Sequence, residues 1–210
     1  CVRGAVYMDY MAESYDGFWA GVAVHNGDVM TDTIYDAGMA TLITGYPSCV
    51  VDRLPETDPS TAEADFLTRI VVAPTATVVN GAMYNTAGDS LLVSVTYTFI
   101  TAGNSQYKAL CILTEDSVSG ATGYAQQNAY AGGANGPMGG FESLPSPVAA
   151  SAMNYNHVAR GIAPNFNGAT GFAASVPATS VVIFNFAFPI AAGWDTSMMH
   201  LTGVLVAPNG

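Results

Sequence analysis

Residues 90–100, SLLVSVTYTFI, alternate along the chain. Val93, Val95, Tyr97 and Phe99 fall on one side, and Ser94, Thr96 and Thr98 on the other. A period of two marks a strand with one face in a core and one toward solvent. Such a strand commits its neighbourhood to a sheet covered on a single face, which is the antiparallel case. The text after Pro74 repeats the theme. TATVVNGAMYN, YKALCILTE, MNYNHVARGI, TSVVIFNFAFPI and MMHLTGVLVA are rich in Val, Thr, Tyr and Phe, with Gly, Asn, Ser and Asp turns between them. No helical period competes, so residues 74–210 read as an antiparallel β-sandwich. One long segment, 117–150, contains YAQQNAYAGGANGPMGGFESLPSP. Its length fits either a functional loop or a packed Ω-type insertion.

The first 73 residues read differently. RGAVYMDYMAESYD (3–16) carries good helix formers, with Val6, Tyr10 and Met11 near one face and Gly17 as a stop. FWAGVAVHN (18–26) reads as an apolar strand covered on both sides. Thr31 and Asp32 open a helix with Ile34, Gly38, Thr41 and Leu42 on one face. GYP precedes a second short strand, SCVVD, and Asp58-Pro59 opens a last helix with Ala62, Phe66 and Ile70 in line. Helices alternating with strands predict an α/β unit over residues 1–73.

Charge separates the two parts as well. Residues 1–72 hold eleven acids and three bases, and residues 73–210 five acids and two bases. A net charge of −11 repels phosphate backbones, which excludes nucleic acid as a partner. No apolar run approaches the length of a membrane span. The chain begins with Cys1 rather than Met and shows no signal peptide, which predicts a processed or incomplete chain. Three cysteines, Cys1, Cys49 and Cys111, are too few and too scattered for a disulfide framework or a zinc cluster.

CVRGAVYMDYM, VAVHNGDVMTD, GYPSCVVDR, LTEDSVSG, the YAGG…GGFESLP loop and NHVARG together resemble the Omp-twenty-eight-related outer membrane and surface proteins of Bacteroidota. The resemblance spans essentially the whole chain. It implies a thioredoxin-like domain followed by a β domain in a secreted, cell-surface protein, and it supplies no substrate. On that footing Pro47 matches the cis-proline of thioredoxin folds, presenting the Tyr46 backbone beside the active-site helix. Cys1 matches the second, resolving cysteine of a CxxC pair, so the first cysteine and the first strand of the domain are missing. A dithiol cycle needs both thiols. The expectation is therefore a truncated thioredoxin-like α/β domain followed by an antiparallel β-sandwich, non-enzymatic and structural, with no cofactor. Such a chain self-associates, or binds another surface protein, through the open thioredoxin-like sheet. The alternative is a cell-envelope thiol–disulfide oxidoreductase whose full CxxC lies partly upstream.

Candidate residues each have a plainer reading. Cys1 is a resolving thiol, a lipoprotein cysteine or half of a structural disulfide. Cys49 is its redox partner or a small core residue, and Cys111 is a buried, inert thiol. His25, before Asn26-Gly27-Asp28, is a turn-capping histidine or an acid–base group. His157 and Arg160 with Glu142 form a polar site, or a network pinning the long loop. Asp89, Glu115 and Asp116 are calcium candidates in an acidic extracellular chain, without an EF-hand spacing. No hydrolase, metalloprotease, P-loop or dinucleotide fingerprint is present.

Overall fold

A computed structural model describes residues 2–208. Six strands form within the six Val-, Thr-, Tyr- and Phe-rich stretches: β1 (Ala76–Tyr84), β2 (Ser90–Phe99), β3 (Lys108–Glu115), β4 (Val158–Ala163), β5 (Val181–Pro189) and β6 (Met199–Val206). They make two three-stranded antiparallel sheets, ordered β1-β2-β5 and β4-β3-β6. The alternation of β2 is realised residue by residue, with Leu91, Val93, Val95, Tyr97 and Phe99 buried between the sheets. Ala109, Cys111 and Leu113 of β3 and Phe186 and Phe188 of β5 complete the shared core. The sheets approach closely at Gly203, where a Cβ would lie 2.6 Å from Val95 and 2.9 Å from Val78. Tyr97 crosses this core and donates its hydroxyl to the Val204 carbonyl at 3.0 Å.

β3 is buried on both faces, because its outer side is covered too. Tyr35 packs against Leu110, Ile112, Ala159 and Ile162 there, with Val22, Val24 and Met39 around it. The first 73 residues thus supply a helical layer on the outside of β4-β3-β6. The layer holds α1 (Val2–Ser14), α2 (Thr33–Met39) and α3 (Ala62–Arg69). Asp32 caps α2 by accepting from the Tyr35 amide at 2.7 Å, and Asp58 caps the 3-10 turn that leads into α3. A smaller core of Met11, Val51, Ala62 and Phe66 joins α1 to α3, with Tyr15 and Trp19 on the Phe66 ring.

Three expectations are corrected here. Residues 18–26 are not a strand: Ala23 alone makes a parallel bridge to β4, through the His157 carbonyl and the Ala159 amide. SCVVD is not a strand either. Cys49 bridges Thr57, and Asp52 and Arg53 then take φ of 48° and 59°, which turns the chain away. The Arg53 guanidinium holds that turn against the sandwich, bonding the Phe166 carbonyl and lying over its ring. The expected thioredoxin-like sheet, and the open edges it would have offered a partner, are therefore not formed among residues 2–73. The α2 face is the third correction. Tyr35 and Met39 face inward while Ile34 is exposed, because Gly38 lets the Phe166 ring lie against the helix.

The 117–150 segment is a packed insertion. Val118 bridges Tyr155 and Gln126 bridges Val148 at its base. Buried Asn128 pins its middle, donating to the Phe141, Leu144 and Pro145 carbonyls and accepting from the Tyr130 amide.

Candidate functional site

Cys1 lies outside the described residues. Pro47 follows a cis bond from Tyr46 and lies beside the first turn of α1, where a Cβ on Gly4 would be 3.7 Å from it. The Tyr46 hydroxyl donates to Asp36 at 3.0 Å. Cys49 is a free, half-buried thiol beside the Met11–Phe66 core. Burial, then the negative Asp65, push it up from its ordinary value, away from thiolate. Cys111 is free and fully enclosed between the sheets, and burial pushes it up to about 12. Neither described cysteine has the electropositive surroundings of a reactive one.

The acidic candidates are already engaged. Asp89 belongs to the β1–β2 turn and accepts from Asn85 at 2.7 Å and Ser90 at 3.0 Å, which hold its carboxyl below the usual range. Glu115, at the end of β3, is buried; it accepts from Arg160 Nε at 2.7 Å and from the Asp195 amide at 2.7 Å. Arg160 lies between that carboxylate and the Trp194 ring, 5.0 Å from its centroid. Asp116 accepts from the His157 amide at 2.6 Å and faces His200 Nε2 at 3.1 Å. These contacts leave no set of free oxygens for calcium, and no group of three or more His, Cys, Asp or Glu among the described residues can hold a metal ion. Glu142 does not join His157 and Arg160; it caps its own loop through the Met138 and Gly140 amides, which hold it below the usual range. His25 pairs with Asp28 at 2.7 Å and meets the Tyr155 ring edge-on, in the turn-capping arrangement.

Sequence reasoning about single residues misses the largest feature. The twenty-eight residues of β1, β2 and β5 include no Asp, Glu, Lys, Arg or His. The sheet's outer face presents Val79, Met83, Leu92, Val181 and Ile183, with Thr77, Ser94, Thr96, Thr98 and Asn185 between them. All five apolar residues are exposed, Met83 at 67% and Val79 at 65%, and only neutral side chains lie between them. This face points away from the helical layer, where the acids are concentrated. The signal was legible as three stretches: residues 70–88, 90–107 and 161–194 contain no charged residue at all. A groove of 640 Å³ runs between β4 and β5, with Met30, Ile162, Phe186 and Trp194 in its walls and Arg160 at its side.

No family model, curated protein or solved structure matches the chain. No helix among the described residues is long and apolar enough to cross a membrane.

Proposed function

We propose that the chain is a non-catalytic structural protein of the cell exterior that works by assembling with other chains. One observation carries the reading: in a chain of net charge −11, the exposed face of one sheet bears no ionised group. Solvated surfaces of an acidic protein normally carry charge, and a contiguous neutral patch is where a second molecule seats at least electrostatic cost. The resemblance to the Omp-twenty-eight-related surface proteins supports the location. The engagement of every described acid and cysteine candidate in structural contacts supports a role without chemistry. Surface biotinylation of intact producing cells tests it. The chain is expected to be labelled from outside and, after a bifunctional cross-linker is added, to be recovered in complexes; confinement to the cell interior overturns the reading.

The position of Pro47 beside α1 favours a second reading, a thiol–disulfide oxidoreductase of the envelope, in which that helix carries the redox pair. Insulin reduction by the protein with the natural sequence that precedes residue 1 separates the two. The structural reading expects no turnover even then. Turnover that disappears in Cys1→Ser supports the oxidoreductase.

A further inference from the structure

An edge strand exposes a row of unpaired amides and carbonyls, and proteins ordinarily blunt it with Lys, Pro, a bulge or a covering segment. β4 is covered at Val158 by Ala23, and β5 ends in Pro189 beside the 29–34 segment. β1 and β6 have none of these devices, and of the two β6 carries His200 while β1 carries no charged or imidazole side chain. β1 is nine residues long, ATVVNGAMY, with no charge, no proline and an unbroken register against β2. The bonds from the Ile100 amide to the Thr75 carbonyl and from the Asn85 amide to the Ser90 carbonyl fix the phase of the ladder. Odd-numbered residues of β1 therefore bond to β2. The N–H and C=O groups of Ala76, Val78, Asn80, Ala82 and Tyr84 point outward. The far half of the strand, Asn80–Tyr84, is exposed on both faces, so Ala82 and Tyr84 lie uncovered even on the core side.

The geometry points to antiparallel pairing of β1 with β1 of a second copy about a two-fold axis at Asn80, which deepens the assembly reading above and rests on it. Asn80 opposite its own copy is the register in which all nine residues pair, since Ala76 then meets Tyr84 and Val78 meets Ala82. It joins outward-pointing groups to outward-pointing groups, and it keeps the odd-numbered residues of both copies on one face. Charge selects both the occupant and the direction. β6, the neighbouring edge, contributes only His200, which faces Asp116, so two copies of a −11 chain meet here along strands that carry no acid of their own. Antiparallel pairing sets each Asp89 turn beside the partner's uncharged Pro74–Ala76 end, whereas parallel pairing would set Asp89 against Asp89. Face-to-face stacking would leave the outward main-chain groups of β1 unpaired. Edge pairing relies on main-chain hydrogen bonds instead, and doubles the neutral face to six strands.

Thr77 of one copy then lies directly opposite Met83 of the other, in a close, non-hydrogen-bonded pair, although the two are far apart within one chain. Light scattering of the whole chain across a concentration series is the test. The wild type is expected to rise from one chain mass toward two. Thr77→Lys with Met83→Lys sets lysine against lysine at both contacts and weakens the dimer by about tenfold or more. Thr77→Lys with Met83→Glu sets opposite charges there and recovers the association. Both side chains are exposed, so far-UV circular dichroism should match wild type in each variant. The proposal is overturned by a wild type of single-chain mass at every concentration, by a lysine–lysine variant as dimeric as wild type, or by a lysine–glutamate variant no better than it. None of these outcomes touches labelling and cross-linking on intact cells, which judge the assembly reading separately.

Discussion

The helical layer and the sandwich are built on different physical terms. In the sandwich, local pattern and tertiary burial agree: the residues that alternate in β2 are the residues that are buried. In the helical layer they agree only in part. α2 has seven residues, too few to stand by itself, and its orientation comes from where Tyr35 fits on β3 and β4. A layer that owes its arrangement to the surface beneath it should be easier to loosen than the sandwich, and perturbations can be aimed at either part. Trp19 reports on the helical layer, packed on Phe66, and Trp194 on the sandwich, beside Arg160.

The largest effect is expected at the buried Glu115–Arg160 pair. Glu115→Ala leaves a guanidinium enclosed without its carboxylate and frees the Asp195 amide, costing about 3–5 kcal/mol of stability in denaturant unfolding. Replacing both partners, Glu115→Leu with Arg160→Met, should recover most of that loss. If the double variant is no better than the single, the pair is not the unit described. Phe66→Ala should cost about 3 kcal/mol by opening the core between α1 and α3. Its signature is regional: Trp19 fluorescence moves at lower denaturant than Trp194 fluorescence. Coincident transitions would show that the two parts unfold as one. Tyr97→Phe removes a buried donor to the Val204 carbonyl and should cost about 1 kcal/mol, with both tryptophans shifting together.

Acid should separate the parts without any mutation. Hydrogen bonds from Tyr15 and Tyr10 hold the Glu63 carboxyl below its usual range, and those from Ser48 and Thr44 do the same for Glu56. A carboxyl depressed in the folded state stabilises fully above its unfolded value, about 4.3, and that contribution is lost as pH falls through the lower folded value. Glu63 ties α3 to α1 and Glu56 holds the Thr44–Ser48 turn, both within the helical layer, whereas Asp89 and Asp195 serve tight turns of the sandwich. Below about pH 4.3 the Trp19 signal should therefore change before the Trp194 signal. Simultaneous change would remove the distinction.

The same contrast explains what could be read from residues alone. All six strands were legible, β2 from its period of two and the others from β-branched and aromatic content between turn residues. The caps at Asp32 and Asp58 were legible, because capping is local. Residues 18–26 and 48–52 were misread as strands. Their apolar runs are only half-buried, and each spends one residue on a bridge, at Ala23 and at Cys49. The pairing of Glu115 with Arg160 joins residues 45 apart and leaves no trace in local pattern. The neutral sheet was legible in composition, as stretches without charge, but that these stretches share one exposed face depends on the β1-β2-β5 order.

The central claim is that the two sides of the molecule have different fates, the acidic helical layer meeting solvent and the neutral sheet edge meeting another copy. Amide hydrogen exchange at low and high protein concentration measures this directly. Slower exchange at Ala76, Val78, Asn80, Ala82 and Tyr84 as concentration rises, with Thr33–Met39 unchanged, is the predicted result. Exchange along Ala76–Tyr84 that does not depend on concentration would contradict it.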